Sequence, residues 1–164
     1  MSDYTMSAWV NWSQTNGAGD QFIFGQTGGN GLHDGIRGSN WHMGHWGQDL
    51  AAGGANAPLA DGNWQHVTFR YQDGVSQILV NGVLAASGTR GGFQPNNPFI
   101  IGTRQNSVNH DFQGVLDEVA IYPTALADFQ VQLLANGHNA IIPEPTRAFT
   151  LLAGLGAMLI RRRR

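Results

Sequence analysis

Residues 64–84, WQHVTFRYQDGVSQILVNGVL, decide the fold. From Trp64 to Tyr71 the chain alternates, with Val67, Phe69 and Tyr71 on one side and His66, Thr68 and Arg70 on the other. A period of two marks a strand with one buried face. Asp73-Gly74 then turns the chain into a second apolar run, Val75 to Val80, and Asn81-Gly82 turns it again into Val83-Leu84. Asn or Asp followed by Gly accepts the positive φ angles of a tight hairpin, so this stretch predicts three consecutive, neighbouring antiparallel strands.

The same reading extends outward. Thr5 to Trp12 alternates, Gln21 to Phe24 is a short apolar run, and residues 36–46 predict two strands around Gly38-Ser39-Asn40. Residues 98–102 and 112–122 give the last two strands, while residues 13–20, 25–35, 47–62 and 88–98 read as loops. After Pro123, Thr124 can cap a short helix in which Leu126, Phe129, Leu133 and Leu134 lie at helical spacing before Asn136-Gly137 stops it. With 23 glycines and little helical patterning before residue 124, the expectation is an all-β body. Two antiparallel sheets stack as a sandwich, with one short helix near the end of the domain.

Charge narrows the function. The first 140 residues hold four arginines, no lysine, nine aspartates and one glutamate, a formal −6 against +4 for the last 24. Phosphate contacts need clustered Lys or Arg, so no nucleic acid is expected as a partner. Cysteine is absent, and stability must come from the core.

The tail is a separate unit, residues 141–164. Pro143-Glu144-Pro145 precedes thirteen apolar or small residues, Ala148 to Ile160, and then Arg161, Arg162, Arg163 and Arg164. Thirteen helical residues cover about 20 Å, short of the roughly 30 Å hydrocarbon core of a bilayer, so 148–160 predicts a short, marginal C-terminal transmembrane-like helix. Terminal arginines stay cytoplasmic, which puts residues 1–140 on the far side of the inner membrane. The order of these parts closely resembles the PEP-CTERM sorting signal of Gram-negative bacteria that make exopolysaccharide. That resemblance implies an exosortase-type sorting enzyme as partner and a destination at the cell surface or extracellular matrix. An exported domain also needs an N-terminal secretion signal, yet Met1-Ser2-Asp3-Tyr4 leads directly into a strand. The expectation is therefore an N-terminally truncated domain.

Residues 4–137 resemble the LamG-like jellyroll of the concanavalin A-like lectin and glucanase superfamily. The likeness rests on Thr5-Met6-Ser7-Ala8-Trp9-Val10, Trp64-Gln65-His66-Val67-Thr68-Phe69, Leu79-Val80-Asn81-Gly82-Val83 and Gly114-Val115-Leu116-Asp117-Glu118-Val119-Ala120-Ile121-Tyr122, in that order. It implies a jellyroll domain over residues 1–140, with Trp9 and Trp64 as core framework. Members of the family carry further strands before the first of these segments, so a missing strand would leave an open sheet edge.

Glycoside cleavage needs two carboxylates about 5–10 Å apart. Glu118 is the one glutamate before residue 140, and the residues two positions away are Leu116 and Ala120, so the paired carboxylates of the superfamily's glucanases are absent. The expectation is a non-enzyme, with a hydrolase using aspartates as a remote alternative. Asp117, alternating with Val115 and Val119, is expected to be partly buried. The family resemblance implies a structural calcium there, to be weighed against a carboxylate that merely accepts backbone N–H bonds in a turn or bulge. Of the six histidines, His42 and His45 point to opposite faces of a strand, and with His33 nearby they read as solvent-facing or satisfied in the core rather than as metal ligands. Trp41 and Trp46, with Asp49 close by, are the candidate ligand-binding residues, because sugar rings stack on indoles while acidic or amide groups fix the hydroxyls; core packing is the competing reading of both tryptophans. The function expected is an exported, non-catalytic domain that binds a polysaccharide or surface protein. The alternative is a structural matrix protein without a specific ligand.

Overall fold

The computed structural model describes residues 3–13, 19–27, 31–44, 47–60, 62–91, 98–104 and 110–139. Its strands are β1 (Tyr4–Trp12), β2 (Gln21–Gln26), β3 (His33–Arg37), β4 (Asn40–Met43), β5 (Leu50–Ala52), β6 (Trp64–Gln72), β7 (Val75–Val80), β8 (Val83–Thr89), β9 (Phe99–Ile101) and β10 (Gly114–Tyr122), followed by helix α1 (Asp128–Ala135). They form two five-stranded antiparallel sheets, β10-β1-β6-β7-β8 and β5-β4-β3-β2-β9. The all-β sandwich with one short helix is the predicted architecture.

The stretch that predicts the fold also fixes its register. Asp73 and Gly74 have φ of 49° and 81°, and Asn81 and Gly82 have 51° and 78°, the paired positive angles of a type I′ turn. Asn81 is locked further: its N–H donates to the His66 carbonyl at 2.8 Å, and its Oδ1 accepts the His66 N–H at 2.9 Å. Val67, Phe69 and Tyr71 of β6 enter the core with Ile78 and Val80 of β7. Met6, Ala8 and Val10 of β1 meet Ile23, Ile36, Trp41 and Met43 of the second sheet in the same core. Each large side chain buried this way contributes roughly 1.5–3 kcal/mol.

Several elements differ from expectation, among them β3, which begins at His33 inside the predicted loop 25–35. Within the predicted loop 47–62 lie β5 and a 3-10 turn, Gly54–Asn56. The helix starts at Asp128, not beside Thr124, because the preceding segment is pinned to β1. Thr5 Oγ1 donates to the Thr124 carbonyl and accepts the Leu126 N–H, both at 2.9 Å. Gln130 Oε1 accepts the Ala127 N–H at 2.9 Å and closes the first turn. Buried Arg70 of β6 donates to the Leu126 carbonyl and pairs with Asp128 at 2.7 Å, which holds the helix over the outer face of the first sheet.

One irregularity in the second sheet shapes the site. Phe22 pairs with Gly35 and Phe24 with Asp34, so a bulge at Ile23 sends Ile23 and Phe24 into the core and turns Phe22 to the opposite face. Gly35 has to be glycine, since an added Cβ would run into the Gln21 carbonyl and the Phe22 backbone.

The sheets end together at β9 and β10, where Phe99, Ile101, Val115 and Ile121 are exposed. Ala140 and the tail, with Pro143, Glu144, Pro145, the stretch 148–160 predicted as a helix and Arg161 to Arg164, lie outside the described residues. Among the described residues no helix is long and apolar enough to cross a membrane.

Candidate functional site

Alternation along β4 builds the site. Trp41 and Met43 point into the core, so His42 between them points to the outer face of the second sheet. On β3, Ile36 points inward, which leaves His33, Gly35 and Arg37 on that same outer face. The His33 and His42 rings stack at 5.2 Å, inclined by 23°. Phe22 meets both edge-on or tilted, at 5.6 and 6.2 Å, and His110 at 5.7 Å, while the Arg104 guanidinium lies 5.8 Å over the Phe22 ring.

Asp49, just before β5, completes the cluster. Its Oδ1 lies 3.2 Å from His33 Nε2 and 3.8 Å from His42 Nε2, and its Oδ2 pairs with Arg37 at 3.0 Å. Arg37 also pairs with Asp20 at 3.2 Å, and Arg90 donates to the Asp49 carbonyl at 3.0 Å. His33 and His42 are buried, whereas the side chains of Arg37 and Asp49 are 44% and 39% exposed, so the face offers charged groups to solvent over a fixed aromatic floor.

Burial sets the protonation of this floor. It lowers the pKa of His33, with Asp49 pulling partly the other way, and it lowers that of His42 to about 4, reinforced by His33. Both imidazoles are therefore neutral near pH 7. Beneath them, Asp34 accepts the Gly44 N–H at 2.9 Å and is buried on the core side, which pushes its carboxyl well above the usual carboxylate range.

The sequence-predicted residues divide. Asp49 lies on this face. Trp41 does not: at 1% exposure it is a core residue, and its ring has no surface to offer a ligand. The alternation that separates His42 from its neighbours is the signal for this, because Trp41 shares its side with Met43. Trp46 lies outside the described residues. His33 and His42 are both buried. His33 is satisfied as a core histidine, its Nδ1 lying 2.9 Å from the Gly31 carbonyl, whereas His42 Nε2 has no hydrogen-bond partner among the described residues. Trp64 is exposed, and Trp9 lies edge-on to His66 at 5.6 Å on the outer face of the first sheet, so neither is core framework.

Asp117 is exposed rather than partly buried. Its Oδ1 accepts the N–H of Glu118 at 2.8 Å, at a bulge where Glu118 has φ of 49°. Among the described residues Asp117 joins no group of three or more His, Asp or Glu side chains, so a calcium ion there would take most of its six to eight oxygens from backbone carbonyls and water.

The face can hold a ligand by hydrogen bonds from Arg37 and to Asp49 and Asp20. Arg37 ties both carboxylates together as an ion-pair array, not the acid-plus-nucleophile division that glycoside cleavage uses. Solved structures of other proteins share this fold. A Bacteroides ovatus protein assigned a carbohydrate-binding role superposes with a TM-score of 0.66 at 26% identity, covering 80% of this chain, which spans 40% of that one. Domain 4 of AbnA, an extracellular arabinanase from Geobacillus stearothermophilus, solved with arabinotriose, gives 0.64 at 27% identity over 82% of this chain and 68% of that one. A carbohydrate-binding module of the Ruminococcus gnavus sialidase, solved with sialyllactose, shares the fold at 0.62 and 17% identity, over 82% and 83% of the two chains. No curated protein matches the sequence. The model of the concanavalin A-like lectin/glucanases superfamily matches residues 1–132, and the chain belongs to that superfamily.

Proposed function

We propose that this protein is a non-catalytic glycan-binding domain, exported to the bacterial surface or matrix and sorted through its C-terminal tail. The observation that carries the binding role is the half-exposed Arg37–Asp49–Asp20 array set on the buried His33, His42 and Phe22 floor of the second sheet. Charged, geometrically fixed donors and acceptors beside an aromatic base suit sugar hydroxyls. Carbohydrate-binding neighbours at 26% and 27% identity support the same reading. Trp46, three positions before Asp49 in the sequence, is its stacking residue. For the address, the support is the sequence of the tail: Pro143-Glu144-Pro145, the short apolar helix and the terminal arginines suit an exosortase-type enzyme and passage through the inner membrane.

A glycan array probed with the full chain tests the binding role. Wild type should bind a defined subset of glycans, and Trp46→Ala and Arg37→Ala should each weaken that binding about tenfold or more, the loss expected for one or two good contacts. A blank array would overturn it. The open apolar edges at β9 and β10 favour a second reading, a structural matrix unit that self-associates without a specific ligand. A blank array together with concentration-dependent oligomers would select that one.

A further inference from the structure

The His33–His42–Asp49 cluster leaves a buried ring nitrogen without a hydrogen bond among the described residues. His33 Nδ1 lies 2.9 Å from the Gly31 carbonyl, which can only accept, so that nitrogen carries the ring's proton and Nε2 presents a lone pair. This lone pair faces Asp49 Oδ1 at 3.2 Å. His42 Nε2, on a side chain more than nine-tenths buried, approaches the same oxygen to 3.8 Å and has no hydrogen-bond partner among the described residues. With its proton on Nδ1, His42 adds a third lone pair at this point, and a positive charge between the three donor atoms would satisfy all of them.

From this convergence we infer a binding site for a first-row divalent transition-metal ion of the zinc type, held by His33 Nε2, His42 Nε2 and Asp49 Oδ1. The three ligand atoms lie within 4.8 Å of one another. Zinc takes nitrogen at about 2.0–2.1 Å and carboxylate oxygen at about 2.0–2.2 Å, which puts neighbouring ligand atoms of a tetrahedral site about 3.3 Å apart. The His33–Asp49 separation is already at that value, and an inward movement of His42 brings its Nε2 toward both other ligand atoms. The support around the ligands is what such sites require: Gly31 fixes the tautomer of His33, and Arg37 holds Asp49 Oδ2 so that Oδ1 turns to the rings. Space for the ion is kept by a glycine. A Cβ on Gly44 would press against Asp49 Oδ1 and lie 2.9 Å from His42 Nε2. Two imidazoles and a single carboxylate select zinc, cobalt or nickel over calcium, which wants an oxygen cage. Three protein ligands leave the fourth tetrahedral position to water or an incoming ligand atom. The inference does not depend on the face binding sugar.

The test is calorimetric titration of Zn2+ into the full chain after chelator stripping, with Co2+ absorption as a second readout. One ion per chain is expected, with visible Co2+ bands of four-coordinate intensity and no matching heat from Ca2+. His42→Ala should weaken Zn2+ about a hundredfold or more, and Gly44→Ala and Asp49→Asn about tenfold or more. Exposed His138→Ala is the control and should change nothing. Circular dichroism checks that each variant is folded. Should His42→Ala fail to fold, Asp49→Asn decides, because that side chain is 39% exposed and its loss leaves the core intact. Absence of saturable Zn2+ binding by the folded chain, or equal binding in Asp49→Asn and Gly44→Ala, would overturn the assignment.

Discussion

At the scale of single residues, burial decides roles that residue type alone leaves open. Trp41 is a core anchor, so Trp41→Ala should cost about 3–5 kcal/mol of stability, read as a lower denaturant midpoint; a change below about 1 kcal/mol would mean that the ring is not packed there. Asp34 and His66 titrate with opposite signs. Burial raises the Asp34 pKa well above 3.8, the Gly44 N–H opposing it only in part, so the native chain holds a proton that the unfolded chain gives up. Stability from this group is full below pH 3.8 and declines as pH rises through the raised value. Asp34→Asn keeps an acceptor for Gly44 and should add about 1–3 kcal/mol near neutral pH, visible in urea unfolding at pH 8. Burial lowers His66 to about 4 from 6.5, so its contribution is full above pH 6.5 and is lost as pH falls through 4. The loss on full protonation is up to about 3 kcal/mol. His66→Gln should therefore flatten the fall in stability between pH 6.5 and 4, and an unchanged slope would contradict the assignment.

At the scale of elements, the two type I′ turns do what their sequences promise. Asn81→Ala removes the side-chain amide that lets asparagine tolerate φ of 51° and deletes the acceptor for the His66 N–H. The expected cost is about 2 kcal/mol by thermal unfolding, from about 1 for the strained angle and about 1 for the hydrogen bond. Residues 64–84 were legible because turn chemistry and alternation are local. Strand β5 was not: three residues, Leu50–Ala52, carry too short a pattern to rise above a glycine- and alanine-rich loop. The site was legible only in part, because His33, His42 and Asp49 come from β3, β4 and the chain before β5 and meet only when the strands pair. Asp49, singled out from its neighbourhood in sequence, lies beside His33, His42 and Arg37. The histidines were missed because the pairing weighed was His42 with His45 along one strand, whereas the pairing that forms runs across two. At Asp117 a bulge breaks the alternation on which the expectation of burial rested.

At the scale of the whole molecule, the two ends of the sheets differ among the described residues. Strands β5 and β8 pack together, while β9 and β10 are edges that expose Ile101, Val115 and Ile121. A bare apolar edge is a template for another strand. Val115→Lys should leave stability within about 0.5 kcal/mol and reduce concentration-dependent association in sedimentation experiments; equal association would show that the edge is not the sticky surface. The molecule also offers a competing groove on the first sheet, lined by Trp9, His66, Glu118 and His138. The measurement that separates the two faces is an amide chemical-shift titration of the labelled protein with the strongest glycan from the array. Shifts concentrated at Phe22, His33, Arg37, His42, Gly44 and Asp49 are predicted, whereas shifts confined to the Trp9 groove, or none anywhere at saturating glycan, would contradict the placement of the binding site on the second sheet.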